Sequence, residues 1–310
     1  MKLAILSHIC PEAVAELTTR HDVVCVWHEA TGPALRLDCD CEALVFRSGV
    51  TIDASLMSQA PDLKLLIRAG AGLDNIDMEY IRARNIELIS VPVPGGRAVA
   101  ELTLGLMLML ARRIMVADQA LRRGRWLKHD LDGCLLLGKC LGIVGAGRIG
   151  AQVGEIGAIF GMRVIGCVAR PTPEKTAKLA AAGIELTDFD TVIRQADFVC
   201  IHVPLTAETK NLFDRDVLRR LKPGAFLLNL GRGGVVDEEA LLASLTTPGG
   251  LAGAALDVHS REGEGQISVL AALPDVVLTP HVGSTTLETQ REIGRQVVTA
   301  VETFAAGLHR

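Results

Sequence analysis

The sequence predicts an α/β protein built from two doubly wound parallel sheets, one domain inserted in the other. Three observations predict it. Short apolar runs alternate with helical patterns in both halves of the chain, a Pro/Gly break separates the two series, and a glycine-rich strand-to-helix turn opens the second. In the first series Leu3–Leu6, Val23–Val26, Ala43–Phe46 and Leu63–Ile67 read as buried parallel strands, with helical spacing over Pro11–Leu17 and Met78–Arg84. Pro92-Val93-Pro94-Gly95-Gly96 then reads as a hinge. A single long helix is expected from about Val99 to Arg123, apolar all round at first and therefore buried, in the fold or against another subunit. The second series has strand candidates at Leu141–Val144, Arg163–Cys167, Phe198–Val203, Ala225–Asn229, Ala252–Leu256 and Val276–Leu278. From Thr286 one amphipathic helix runs to the end and is expected to return to the first domain. The domains are thus residues 1–92 with 285–310, and 93–284.

Composition narrows the class. The 310 residues carry 32 basic and 36 acidic side chains, a net charge of −4, with no dense basic tract, so nucleic acid is not an expected partner. An apolar fraction of 49% with 22% charged residues excludes disorder. The eight cysteines are scattered, and Cys39-Asp40-Cys41 has no second pair at zinc spacing, so reduced thiols in a cytoplasmic protein are expected. The start, Met1 to Leu6, does not read as a signal peptide. Leu102 to Ala111, the most apolar stretch, is roughly half the length a bilayer span needs. No membrane role is expected.

The chemistry begins at Gly142-Ile143-Val144-Gly145-Ala146-Gly147-Arg148-Ile149-Gly150. A GxGxxG pattern alone is weak, but here it follows a strand and opens a helix. Gly145 permits the tight turn, Gly147 lets a pyrophosphate approach the backbone, and Gly150 lets helix and strand pack closely. The helix N-terminus offers N–H donors and a positive dipole to the phosphates. An NAD site would place an acid at the end of the next strand, yet Val168 stands there and Arg170 follows. Without the carboxylate a 2′-phosphate is not repelled, and arginine can bind it bidentately. This pattern predicts NADP over NAD; the alternative is an exposed arginine beside a retained NAD site.

Three further segments end strands of the second sheet, the edge where ligands bind in such folds. They carry Arg232 among glycines, Glu262 after Ala255-Leu256-Asp257, and His281 after Thr279-Pro280. Each alone could be a surface cation, a solvated acid or a turn histidine. In order behind a nucleotide turn, they point to one site.

With these motifs the chain resembles the D-isomer-specific 2-hydroxyacid dehydrogenase family, which includes 3-phosphoglycerate dehydrogenases and glyoxylate/hydroxypyruvate reductases. The resemblance covers nearly the whole chain. It also runs through Arg68-Ala69-Gly70-Ala71-Gly72-Leu73-Asp74-Asn75, Val99-Ala100-Glu101, Gly124-Arg125-Trp126 and His202-Val203-Pro204-Leu205-Thr206. It implies a Rossmann-type nucleotide domain inserted in a flavodoxin-like substrate domain. It further implies Arg232, Glu262 and His281 as catalytic residues, and a turn at Gly70–Gly72 whose N–H groups face the substrate carboxylate. Arg47, Ser48 and Ala71 join them on the substrate side. Cofactor contacts are implied at Ala71, Gly145, Gly147, Arg148, Ile149, Gly150, Val203, Pro204, Thr209, Leu230, Gly231, Asp257, Gly283 and Ser284, beside Arg170. Arg68 and Arg97 could add positive charge for a second anionic group on the substrate. His202 reads as structural, and His8, His21, His28, His129, His259 and His309 show no convincing partner in the sequence.

The implied reaction moves hydride between NAD(P)H and C2 of a small 2-keto acid, in a cleft between the domains. Arg232 orients the carboxylate and carbonyl, protonated His281 gives the proton, and Glu262 supports the imidazolium. No metal is expected, since the two cations polarise the carbonyl. A homodimer is expected over Leu102–Ala111. Gly95, Leu135 and Gly263 depart from the family pattern, which bears on loop geometry. A regulatory domain found in some phosphoglycerate dehydrogenases is expected to be absent. The alternatives are a nucleotide-sensing corepressor-like interaction protein and a dehydrogenase of a small non-hydroxyacid anion.

Overall fold

The computed structural model of the chain describes residues 1–26, 37, 40–47, 49–70, 72, 73, 75–91 and 95–308. Ser48, Ala71, Asp74 and the hinge residues Pro92, Val93 and Pro94 lie outside the described residues, as do His28, Cys39 and His309. The chain divides into two compact units, Met1–Gly95 with Ser284–Arg310, and Gly96–Gly283.

The first unit runs β1 (Lys2–Ile5), α1 (Pro11–Thr18), β2 (Asp22–Cys25), β3 (Ala43–Phe46), α2 (Ala54–Met57), β4 (Leu65–Arg68), α3 (Met78–Arg84) and β5 (Glu87–Ser90). Its strands pair in parallel in the order β2-β1-β3-β4-β5, the flavodoxin-like winding that the sequence predicts. The strands β3 and β4 are buried throughout, so β3 reads as a plain apolar run and β4 as one that ends on Arg68. Helix α1 starts on Pro11, whose missing N–H costs nothing in the first turn.

The second unit contains α4 (Gly96–Ala111), α5 (Ile114–Arg122), β6 (Cys140–Val144), α6 (Arg148–Ile159), β7 (Arg163–Cys167), α7 (Pro173–Ala181), β8 (Ile184–Leu186) and α8 (Phe189–Gln195). It continues with β9 (Phe198–Ile201), α9 (Arg215–Leu218), β10 (Phe226–Asn229), α10 (Glu238–Thr246), β11 (Gly253–Leu256) and β12 (Val276–Leu278). The order is β12-β11-β10-β9-β6-β7-β8, all parallel, which is Rossmann winding with the switch point between β6 and β9. The last helix, α11 (Leu287–Leu308), belongs to the first unit. Its Ile293, Val297 and Val301 share a core with Leu3, Ile5 and Leu17, and Gly294 lies so close to Cys10 that a larger side chain would meet its Sγ.

The long helix expected over Val99–Arg123 is corrected to two. Arg113 adopts a left-handed backbone (φ 51°) between α4 and α5, and its Nε binds Asp275 at 3.0 Å. The Ala111 carbonyl at the end of α4 accepts the Cys134 N–H at 2.8 Å, so a distant loop closes the helix. Neither Gly nor Pro marks that break. Helix α4 buries Ala98, Val99, Ala100, Leu106, Met107 and Leu110, while Leu102, Leu104, Leu108 and Met109 are partly buried.

Cys10, Cys25, Cys134, Cys140, Cys167 and Cys200 are free thiols, and burial pushes the Cys200 thiol well up. Among the described residues no helix is long and apolar enough to cross a membrane, and no group of three His, Cys, Asp or Glu is placed to hold a metal ion.

Candidate active site

The glycine turn follows β6 at the switch point. Gly145 has φ +94°, and a Cβ there would stand 2.8 Å from the carbonyl oxygen of His202, the residue just after β9. A Cβ on Gly150 would collide with the Gly145 carbonyl, so α6 can approach its strand only with glycine there. At Gly147, by contrast, a Cβ would meet no described atom within 4 Å. Gly147 is the N-cap of α6 and no side chain caps it, so the first-turn N–H groups at Arg148, Ile149 and Gly150 are left without a side-chain acceptor from the cap. Tight on two sides and open on the third, this cradle fits a dinucleotide pyrophosphate.

Several of the other expected cofactor residues follow strands of the same sheet. Val168 is half-buried after β7, and Arg170 is exposed two residues on. The Thr209 hydroxyl is already used, donating to the Pro204 carbonyl and accepting from the Thr206 N–H, so it braces the turn after Val203. A Cβ on Gly231 would stand 2.7 Å from the Val203 carbonyl, which draws the Leu230–Arg232 turn against that one. The His202 ring nitrogens are buried and have no partner among the described residues, and burial pushes the pKa down to about 4. The ring is therefore neutral near pH 7.

Arg232 leaves the end of β10 on a braced turn. The Asn229 side chain donates to the Arg232 carbonyl at 3.0 Å and accepts from the Gly231 N–H at 3.1 Å, while Arg232 Nη1 donates to the Gly231 carbonyl at 2.8 Å. Glu262 and His281 come into direct contact: His281 Nδ1 lies 2.9 Å from Glu262 Oε2, with 27% and 32% of the two side chains exposed. The other Glu262 oxygen accepts the His259 N–H at 3.2 Å. Burial alone would raise the Glu262 pKa, but the hydrogen bond and charge of His281, with the His259 N–H, outweigh it and hold the carboxyl below its ordinary value. Glu262 is thus an anion throughout the neutral range.

Asp257 holds the His281 segment from beneath. It is almost fully buried, and its carboxylate accepts the Thr279 hydroxyl at 2.6 Å, the Val282 N–H at 2.9 Å and the Gly283 N–H at 2.8 Å. With three donors already in place, it serves the turn around His281. A Cβ on Gly283 would come within 2.9 Å of that carboxylate. Buried Glu238, at the start of α10, accepts the Ser260 N–H at 2.6 Å and so fixes the Glu262 loop from the other side. The sequence reading missed Glu238 and His259, because the groups they hold lie about twenty residues further along the chain.

In the first unit, Arg47 Nη1 donates to Gln290 Oε1 of α11 at 2.6 Å, and burial lowers its pKa from the ordinary arginine value. Arg68 was expected to offer charge to a second substrate anion, and the structure corrects this. It is 4% exposed, its guanidinium lies over the Phe46 ring at 5.9 Å, and its Nε donates to the Gly72 carbonyl at 2.8 Å. Arg68 thus braces the Gly72 carbonyl, and the Ser90 hydroxyl donates to the Gly70 carbonyl at 2.9 Å. Arg97 is paired with Glu101 one helical turn on, at 2.7 Å. Ser284, expected among the cofactor contacts, falls in the first unit.

Residues 104–283 match the family model described as "D-isomer specific 2-hydroxyacid dehydrogenase, NAD binding domain". The chain is 37% identical over 303 residues to the D-3-phosphoglycerate dehydrogenase of Mycobacterium tuberculosis, covering 98% of this chain and 56% of that protein. The chain thus spans about half the length of the first curated relatives it matches. It is also 37% identical over 262 residues to the hydroxypyruvate reductase of Thermotoga maritima, covering 84% of this chain and 83% of that protein. Among solved structures, the NADPH-dependent glyoxylate/hydroxypyruvate reductase of Sinorhizobium meliloti superposes with a TM-score of 0.84 at 28% identity, over 98% of this chain and 93% of that one.

Proposed function

Because the chain belongs to the D-isomer-specific 2-hydroxyacid dehydrogenase family, we propose that it interconverts a small 2-keto acid and the D-2-hydroxy acid, using a nicotinamide dinucleotide. The observation that carries this reading is the Glu262–His281 hydrogen bond, formed at the strand-end edge that also carries the glycine cradle. The cradle at Gly145, Gly147 and Gly150 would hold the pyrophosphate. Bound there, the dinucleotide would supply or accept the hydride. His281 keeps Nδ1 on Glu262, so Nε2 is left to give its proton to the keto oxygen. Glu262, ionised, holds Nδ1 and so fixes the ring. Arg232 pairs with the substrate carboxylate and offsets charge growing on the carbonyl oxygen. A panel of glyoxylate, hydroxypyruvate and phosphohydroxypyruvate, assayed with NADH and NADPH in parallel, tests the reading. Absence of reduction across such a panel would sink it.

NADP is the proposed form of the cofactor. Val168 offers no carboxylate to the adenosine ribose, and Arg170 is exposed and available to a 2′-phosphate. The Sinorhizobium relative is named as NADPH-dependent, which supports this choice. One charge-assisted pair contributes about 1.5–3 kcal/mol, roughly ten- to more than hundredfold in affinity. NADPH is therefore expected to show the lower KM, and Arg170→Ala to raise the KM for NADPH alone. Equal effects on both cofactors would make Arg170 an ordinary surface arginine.

A two-fold dimer through the second unit is also proposed. Most of Leu102–Ala111 is covered within its own unit, but Leu121, Trp126, Leu135 and Leu137 are 59%, 75%, 69% and 68% exposed. That much apolar surface is characteristic of an interface. Light scattering at micromolar concentration is expected to give twice the chain mass; a monomer there would overturn the dimer.

A further inference from the structure

We propose that His259 is a positioning residue for the reaction, a histidine that holds all three catalytic segments in register without touching the substrate. Three separate contacts meet at this residue. Its backbone N–H donates to Glu262 Oε1 at 3.2 Å. Its ring Nε2 lies 2.9 Å from the Thr279 carbonyl oxygen, two residues before His281. Its own carbonyl oxygen packs against Gly233, next to Arg232, so closely that only glycine fits there.

The ring contact matters most, because of how His281 is held. His281 has a left-handed backbone (φ 54°), and its N–H closes a three-residue turn on the same Thr279 carbonyl at 3.0 Å. Such a turn is a weak anchor on its own, and a left-handed backbone is strained for any residue other than glycine. Asp257 secures one side through the Thr279 hydroxyl and the amides of Val282 and Gly283. His259 secures the carbonyl side. A carbonyl only accepts, so Nε2 must carry the hydrogen. Nδ1 is buried and has no partner among the described residues, so the ring is committed to that one bond. His259 thereby ties the loop of the acid to the turn of the histidine, and the 2.9 Å Glu262–His281 contact depends on both staying in place.

The inference rests on the keto-acid reading for its kinetic readout, and a second readout is independent of it. His259→Phe keeps a ring but no donor. His259→Asn puts its amide where Nδ1 stood, short of Thr279, whereas His259→Gln puts an N–H where Nε2 stood. For the first two, kcat is expected to fall about ten- to hundredfold, as small misplacements of catalytic groups do, with KM changed by less than about twofold. His259→Gln is expected to recover most of that turnover. In the cofactor-free protein, nitrogen-15 imidazole NMR should find the hydrogen of His259 on Nε2. The His281 Nδ1–H signal should broaden in His259→Asn and persist in His259→Gln. Wild-type turnover in the Asn variant, equal loss in Asn and Gln, or a hydrogen on Nδ1 of His259 would overturn the proposal. If His259→Phe fails to fold, the Asn/Gln pair decides. If the wild type reduces no keto acid, the functional reading fails and the imidazole spectra still decide this one.

Discussion

Replacing His281 with alanine is expected to lower turnover of a 2-keto acid by about 10²–10⁴-fold, the range general acid catalysis supplies. The loss should fall on kcat, because the substitution removes the proton carried at Nε2 and leaves the glycine cradle untouched. Dinucleotide affinity, read by fluorescence titration, should stay within about twofold of wild type. Glu262 is held below its ordinary pKa, so its protonation would interfere only as pH falls below that ordinary value of 4.5. The comparison is therefore best made near neutrality, where the partner of His281 is ionised. Near-normal reduction by the variant would remove His281 from the mechanism.

The second large effect is expected at Arg232. Arg232→Lys preserves the charge but loses the planar fork that can grip a carboxylate and polarise a carbonyl together. Removing one such donor typically costs about 10²–10³ in kcat. The loss should appear in both kcat and KM, since the guanidinium is assigned to the substrate carboxylate as well as to the developing charge. The turn beneath it is held by Asn229, which bonds backbone atoms only and so survives the change. Steady-state kinetics with the best keto acid of the panel, beside a thermal melt, separates this from unfolding. A melt like wild type with unchanged kcat/KM would place Arg232 outside the site.

The strands that the sequence revealed most plainly are those buried on both faces. β3, β4, β6 and β9 are buried throughout, so each appears as an apolar run, interrupted only by Arg68 at the end of β4 and Gly142 within β6. β5 and β8 are edge strands, with polar Glu87, Ser90 and Glu185 among their few residues, and their sequences carry no such signal. The break at Arg113 was hidden for another reason: its left-handed backbone is stabilised by Asp275 and by the loop at Cys134, contacts formed only in the folded chain. In the site, the glycine turn was readable because its requirements are local. Arg68 was misread because a charged residue after a strand looks available, and only the fold places Phe46 and the Gly72 carbonyl around it.

The left-handed backbone of His281 has a consequence for engineering. Glycine adopts that conformation without penalty, so a redesign guided by folding stability alone would favour glycine at this position. The most thermostable members of such a library would then be enriched in inactive protein. Selection for heat resistance in this scaffold must be coupled to turnover from the first round, or position 281 must be withheld from mutagenesis.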